Sequence, residues 1–217
     1  MSEERTAYDE KLESILRTAA GIFAEKGYHQ ASIRDIARAT GVSLSGLYYY
    51  FNSKEELLFL IQDHAFGTLL ENLERRLEGV DEPALRLRVL MENHLGYFVA
   101  NQAEMKVLSH ESESLTGDFR RRVNAKKRRL TEVASEILAE LHPDPEVDQR
   151  VATFALFGMM NWLYNWHRPG VDAPVEKLVD DMYRVFLHGI LPAGATVPEP
   201  TGEGAVGQQP IWRGAQG

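Results

Sequence analysis

Apolar positions recur at spacings of three and four along most of this chain, and that period predicts helices from end to end. Leu12, Ile15, Leu16, Ala19, Ala20 and Phe23 form a first stripe, closed by Gly27 and Tyr28. Ile33, Ile36 and Ala37 give a short second helix one apolar face, and Leu44, Leu47 and Phe51 do the same for a third. Leu57, Ile61, Ala65, Leu69, Leu73 and Leu77 then step by four, which predicts a long connector helix. The next helix runs from Asp81–Pro83 to about Asn101 and carries Leu87, Leu90, Met91, His94, Leu95 and Phe98. A shorter segment holds Met105 and Leu108, and a long helix spans about Thr116 to Leu141. Two more run from roughly Glu146 to His167 and from Pro174 to Ile190. No strand pattern interrupts them, so the predicted class is all-α.

The stretch from Ser32 to Leu58, SIRDIARATGVSLSGLYYYFNSKEELL, adds local chemistry. Ser32, Ser43 and Ser53 stand where three helices begin, and a serine hydroxyl there accepts a free N–H of the first turn. Asp35 and Glu56 follow Ser32 and Ser53 by three residues, the spacing of a capping box, with the shorter acid in the first case. Gly41 lies at the sharp turn between the second and third helices. Two short helices joined by a tight turn form a helix-turn-helix, which places its second helix in the major groove of DNA. The tyrosine run on the outer face of that helix suits such a surface.

AAGIFAEKGYHQASIRDIA and GLYYYFNSKEELL resemble the head domain of the TetR family of bacterial transcriptional regulators. The resemblance implies an N-terminal three-helix helix-turn-helix DNA-binding head and a C-terminal helical ligand-binding and dimerisation domain. It implies DNA contacts from Ser32 and Arg34 at the start of the second helix. Ser43, Ser45, Gly46, Tyr48 and Tyr49 would lie along the recognition helix, and Lys54 would hold a phosphate. Leu44 departs from the family, which often has lysine there, and Gly46 offers no side chain to a base. The expected organisation is a flexible arm over 1–8, the head over 9–54, the larger domain over 55–191 and a disordered tail over 192–217.

Charge alters the picture of the head. From 1 to 54 there are seven Lys/Arg and seven Asp/Glu, and the whole chain carries −8. A neutral head cannot rely on neutralising many phosphates, so modest non-specific affinity and a shallow salt dependence are expected. Helix N-termini offer bare N–H groups to phosphates instead. Cysteine is absent, which excludes disulfides and thiolate chemistry. The N-terminus MSEERTAYDE is acidic and polar, unlike a signal peptide, and no apolar run has membrane-spanning length. A soluble cytoplasmic protein with no membrane partner is expected. From about Pro192 the sequence turns to Gly, Pro and Ala, too poor in apolar surface to offset ordering, and Ile211 and Trp212 read as an idle apolar pair within it.

Three features of the larger domain point to its use. On the long helix, the stripe Leu115, Phe119, Val123, Leu130, Val133, Ile137 and Leu141 skips a place that Lys126 or Lys127 must fill. A lysine there should meet an acid or an anionic ligand, because burying it unpaired is costly. The segment FALFGMMNWLYNWHRPG is apolar nearly all round, which predicts burial on every side. Val151, Ala155, Gly158 and Trp162 share one side and are assigned to a homodimer interface. Phe157, Met160, Asn161 and Tyr164 share another and are assigned to a pocket wall, where an amide at core depth needs a partner. Met91, His94, Phe98, Met105 and Leu108 complete that pocket.

NWLYNWHRPG also resembles the acyl-CoA-responsive regulators of fatty-acid catabolism within the family. By that resemblance the effector is an acyl-CoA thioester, with Lys126, Lys127 and Arg168 available to its anionic groups. The expected function is a homodimeric repressor of lipid or aromatic-acid catabolism genes, released from a palindromic operator by that effector. The alternatives are a multidrug-sensing repressor of efflux genes and an all-helical protein-interaction module. No Gly-rich phosphate loop, nucleophile elbow or Ser–His–Asp grouping is present, and His94 and His110 lack the spacing of a metal site. Neither catalysis nor a cofactor is expected.

Overall fold

Hydroxyl caps start the helices of the head, as their spacing predicts. In the computed structural model, which describes residues 2–111, 113–141 and 147–190, the Ser32 hydroxyl accepts the Asp35 N–H at 3.2 Å. The Asp35 carboxylate accepts the Ser32 N–H in return at 3.0 Å. The hydrogen bonds from Ser32, aided by the Lys26 ammonium at 3.0 Å, hold the Asp35 carboxyl well below the usual carboxylate range. Ser43 caps through the Gly46 N–H at 3.1 Å and Ser53 through the Glu56 N–H at 3.0 Å. The Ser53 box is not reciprocal. Glu56 reaches one residue further back, to the backbone N–H (2.6 Å) and side-chain amide (2.9 Å) of Asn52. Two bonds there replace the single one expected at Ser53.

The head comprises α1 (Ser2–Lys26), α2 (Ile33–Thr40) and α3 (Leu44–Leu47). Gly41 makes the turn between α2 and α3 at φ 66°. The larger domain comprises α4 (Lys54–Leu77), α5 (Pro83–Ala100), α6 (Gln102–His110), α7 (Gly117–Leu141), α8 (Gln149–Asn161), a 3-10 turn (Trp162–Asn165) and α9 (Val175–His188). Among the described residues there is no strand, and no helix is long and apolar enough to cross a membrane.

Residues 2–8, expected as a flexible arm, continue α1. That run contains neither glycine nor proline to interrupt a helix. The segment 192–217 lies outside the described residues. The penultimate helix ends at Asn161 rather than near His167, because the backbone tightens to 3-10 geometry from Trp162.

Two apolar cores meet along α4. The head core joins Ile15, Ala19, Phe23, Ile36, Leu47 and Phe51 to Leu57, Leu58 and Ile61 of α4. It also takes Val107 from α6, Leu115 before α7 and Val123 from α7. The larger core gathers Leu69, Leu73, Leu87, Leu90, Met91, Leu95, Ile137, Leu156 and Met160. Each fully buried leucine contributes roughly 1.5–3 kcal/mol through removal from water. The packing boundary therefore does not fall at residue 54: the first two turns of α4 belong to the head, and α6 and α7 touch it.

Candidate nucleic-acid interface and ligand cavity

The outer edge of the helix-turn-helix is built by backbone tightening. After Ser43, α3 makes one turn, and the Tyr50 N–H then bonds the Leu47 carbonyl at 2.9 Å, a three-residue step. Tyr48 and Tyr49 thus stand on the closing turn rather than along a long recognition helix, 51% and 73% exposed. Arg34, Ser43 and Ser45 are exposed beside them, with the two serine hydroxyls 3.1 Å apart. Gly46 is fixed by its surroundings: a Cβ there would lie 2.9 Å from Val42 Cγ1 and 3.2 Å from Ser43 Oγ. Leu44, expected to face inward, is exposed, because the single turn directs only Leu47 into the core.

Tyr8 completes this edge, and its role was not visible in the sequence. Its ring stacks on Tyr50 with centroids 5.0 Å apart and meets Tyr49 edge-on at 5.8 Å. The N-terminal end of α1 therefore braces the tyrosines that face outward.

Lys54 does not stand free for a phosphate. Its ammonium donates to the carbonyls of Tyr28 (2.9 Å), His29 (3.3 Å) and Ala31 (3.1 Å), and lies 4.5 Å from the centre of the Tyr28 ring. A lysine has three donors, and all three hold the turn between α1 and α2. The exposed cations of the motif are Arg34 and Arg38.

The larger domain encloses a cavity of about 350 Å³ between α4, α5, α6, α7 and α8. Seven of the residues assigned to a pocket line it: His94, Phe98, Met105, Leu108, Lys127, Phe157 and Asn161. Ala65, Phe66, Leu69, Ser109, Leu130, Thr131 and Phe154 line it as well and were missed. Met91 and Met160 do not line it. Both are wholly enclosed in the larger core, where helical period cannot distinguish filler from wall. Tyr164 sits on the 3-10 turn away from the lining, and Arg168 is exposed, turned to Asp172 at 3.4 Å.

The two lysines of α7 divide. Lys126 meets the Asp63 carboxylate and the Asp63 carbonyl, both at 2.8 Å, and is thereby satisfied within the protein. Lys127 enters the cavity with its ammonium 5.0 Å from the Phe66 ring centre. Among the described residues no carboxylate pairs with it, and burial pushes its pKa down. Opposite, His94 Nε2 lies 2.8 Å from Asn161 Oδ1. Asn161 is exposed at the rim rather than at core depth, and its partner is this buried ring. Burial lowers the His94 pKa to about 4, against the smaller opposing effect of the Asn161 bond, so the imidazole is neutral near pH 7.

The α6 helix carries the cavity to the head. Met105, Leu108 and Ser109 line the cavity, while Val107 packs in the head core. Just beyond it, the Glu111 carbonyl accepts Gln62 Nε2 at 3.2 Å, and its carboxylate accepts the Tyr28 N–H at 3.4 Å. At the start of α7, Phe119 stacks on Phe59 at 4.6 Å and Arg122 lies 4.6 Å from the same ring.

The α8 helix is not buried on every side. Val151, Ala155, Gly158 and Trp162 are exposed along one face, Val151 and Trp162 each by 63%, with Phe154 and Val185 of α9 also exposed. Exposed apolar positions of this kind suit an association surface.

Comparison with known proteins agrees with this geometry. Residues 15–61 match a family model described as bacterial regulatory proteins, tetR family, and residues 80–190 match the tetracyclin repressor-like C-terminal domain. The fatty acid metabolism regulator protein of Bacillus subtilis is 24% identical over 174 residues, covering 76% of this chain and 88% of the relative. The structure of PfmR from Thermus thermophilus, a TetR family transcriptional regulator, is 34% identical with a TM-score of 0.74, over 82% of this chain and 99% of that one. AibR in complex with isovaleryl coenzyme A and operator DNA is 28% identical with a TM-score of 0.73, over 81% and 97%.

Proposed function

This chain belongs to the TetR family of regulators, which are DNA-binding proteins and not enzymes, and from that premise we propose a repressor of lipid or aromatic-acid catabolism genes that an acyl-CoA thioester releases from a palindromic operator. The observation that carries the proposal is the Lys127 ammonium, which pairs with no carboxylate among the described residues, in a largely apolar cavity. Such a cavity suits a ligand with an apolar body and an electron-rich group at one end, as an acyl thioester provides. The AibR complex with isovaleryl coenzyme A and the fatty acid regulator of Bacillus subtilis support the same chemistry.

The protein acts as a dimer on operator DNA. Arg34, Ser43, Ser45, Tyr48 and Tyr49 face the duplex in each head, and phosphates meet the capped helix starts. The α8 face bearing Val151, Ala155, Gly158 and Trp162 joins the two protomers. Half-sites about 34–36 Å apart require one spacing of the heads. An acyl group entering between Met105, Leu108 and Phe157 displaces α6, whose opposite side packs against the head. The ligand shifts the equilibrium only by as much as it prefers the released arrangement. The working compartment is the cytoplasm.

Calorimetric titration with acyl-CoA thioesters from two to sixteen carbons, paired with operator release, tests this reading. Binding by at least one thioester with release of operator is expected. Binding of a hydrophobic cation with no response to any thioester would favour a multidrug sensor. The aromatic walls Phe66, Phe98, Phe154 and Phe157 suit such a sensor, but the Lys127 charge opposes a cationic guest.

A further inference from the structure

Besides the Lys127 ammonium, one buried acceptor on the cavity wall has no partner among the described residues. Asn161 Oδ1, 2.8 Å from His94 Nε2, has no hydrogen to give, so Nε2 carries the single proton of the neutral ring and donates it. Nδ1 is then a bare acceptor. It is buried without a partner among the described residues, on a ring that is 3% exposed and forms part of the cavity wall. Its aromatic neighbours are Phe98, stacked at 4.4 Å, and Phe157, edge-on at 5.6 Å, and neither has a proton to offer. The Thr131 hydroxyl is already committed to the Lys127 carbonyl at 2.9 Å. An acceptor stripped of water with nothing in return costs free energy, and a ligand able to fill it regains that cost.

We propose that the effector bears a hydroxyl group that donates to His94 Nδ1, so the protein distinguishes hydroxylated acyl or aryl thioesters from their deoxy counterparts. The inference rests on the thioester reading above and narrows it. A hydroxyl fits better than an amine, since a protonated amine would meet the Lys127 charge in the same cavity. Asn161 acts as a positioning residue: by accepting from Nε2 it selects the tautomer that leaves Nδ1 open. A site that offers a hydrogen bond to a hydroxyl penalises the analogue lacking it, because the polar atom is then left unpaired.

The test uses two matched pairs, benzoyl-CoA with 4-hydroxybenzoyl-CoA and butanoyl-CoA with 3-hydroxybutanoyl-CoA, together with the free acids of each pair. Each is titrated into the full chain and into His94→Phe and Asn161→Leu variants. At least one hydroxylated ester should bind about tenfold more tightly than its deoxy partner. That preference should vanish in His94→Phe and shrink in Asn161→Leu. Equal affinities within both ester pairs, as when solvent satisfies Nδ1, overturn the inference and leave the thioester reading standing. A hydroxyl preference confined to the free acids supports the inference and overturns the thioester reading. Binding by no compound overturns both. Should His94→Phe fail to fold, Asn161→Leu decides, and an undiminished preference there overturns the proposal.

Discussion

The Glu55 carboxylate accepts both the backbone N–H of Thr116, at 2.8 Å, and its hydroxyl, at 2.7 Å. Glu55 lies in the first turn of α4, next to the cap that ends the head, and Thr116 immediately precedes α7. One side chain therefore ties the exit of the DNA-reading unit to the helix that carries Lys127. Glu55→Ala should leave effector affinity unchanged while raising the effector concentration needed for operator release roughly fivefold, about 1 kcal/mol of coupling. Fluorescence anisotropy of labelled operator measures it, and a wild-type release curve would remove Glu55 from the coupling route.

Lys127→Met should weaken acyl-CoA binding at least ~10-fold without altering operator affinity, since charge-assisted bonds are the strong ones. It should also change the alkaline stability profile. Burial lowers the Lys127 pKa in the folded state. Between that value and the ordinary one of about 10.4, the unfolded chain binds more protons than the folded chain. Stability contributed at this position therefore rises with pH across that window. Urea unfolding of wild type and Lys127→Met from pH 8 to 11 should show stability rising with pH in wild type relative to the variant, the difference between the two profiles isolating Lys127 from the tyrosines that titrate in both.

Acid acts on His94 by the same logic. With its pKa moved from 6.5 to about 4 by burial, the folded chain resists protonation that the unfolded chain accepts. Stability is fully present above pH 6.5 and is lost as pH falls toward 4, by about 3 kcal/mol for this residue. His94→Gln should flatten the pH 4–6.5 limb of the unfolding curve relative to wild type. Parallel limbs would show that the ring does not titrate as a buried neutral group.

Tyr8→Ala should reduce operator affinity by roughly 2–10-fold, the range set by aromatic pairs worth about 0.5–1.5 kcal/mol. Tyr8→Phe should retain it, because the contact with Tyr49 and Tyr50 is made by rings. A gel-shift titration of both variants distinguishes bracing from a direct role of the hydroxyl.

Gly158→Leu should give a folded monomer. A Cβ at Gly158 meets nothing within 4 Å in the protomer, and leucine raises helix propensity by about 0.5–1 kcal/mol over glycine. Its bulk would instead hold two α8 faces apart. Sedimentation equilibrium should show the loss of the dimer with helical content intact, and a dimeric variant would place the interface elsewhere.

The sequence disclosed what depends on short spacing and hid what depends on reach. Three hydroxyls, each three residues before the amide it accepts, marked the starts of α2, α3 and α4, because a cap is local chemistry. The stripe from Leu57 to Leu77 foretold α4, since one face of a long helix must be buried. Lys54 was different: its stem carries the ammonium back to carbonyls more than twenty residues earlier, a partner no periodicity encodes. Met91 and Phe98 share a stripe on α5, yet only Phe98 lines the cavity, because neighbouring helices decide where packing stops. The choice between an acid and a ligand for the α7 lysines resolved by splitting: Lys126 found Asp63, and Lys127 found no acid among the described residues.

Gly46 restricts how this head could be retargeted. Because even a methyl group there would press on Val42 and Ser43, a side chain at the centre of the recognition turn requires those two neighbours to shift, and new operator preferences are written more cheaply at its margins. A combinatorial library that randomises Arg34, Ser45, Tyr48 and Tyr49 while holding Gly46 constant should yield folded readers of altered sites. A library that also varies residue 46 should return fewer folded readers, since each member must first displace the Val42 or Ser43 side chain.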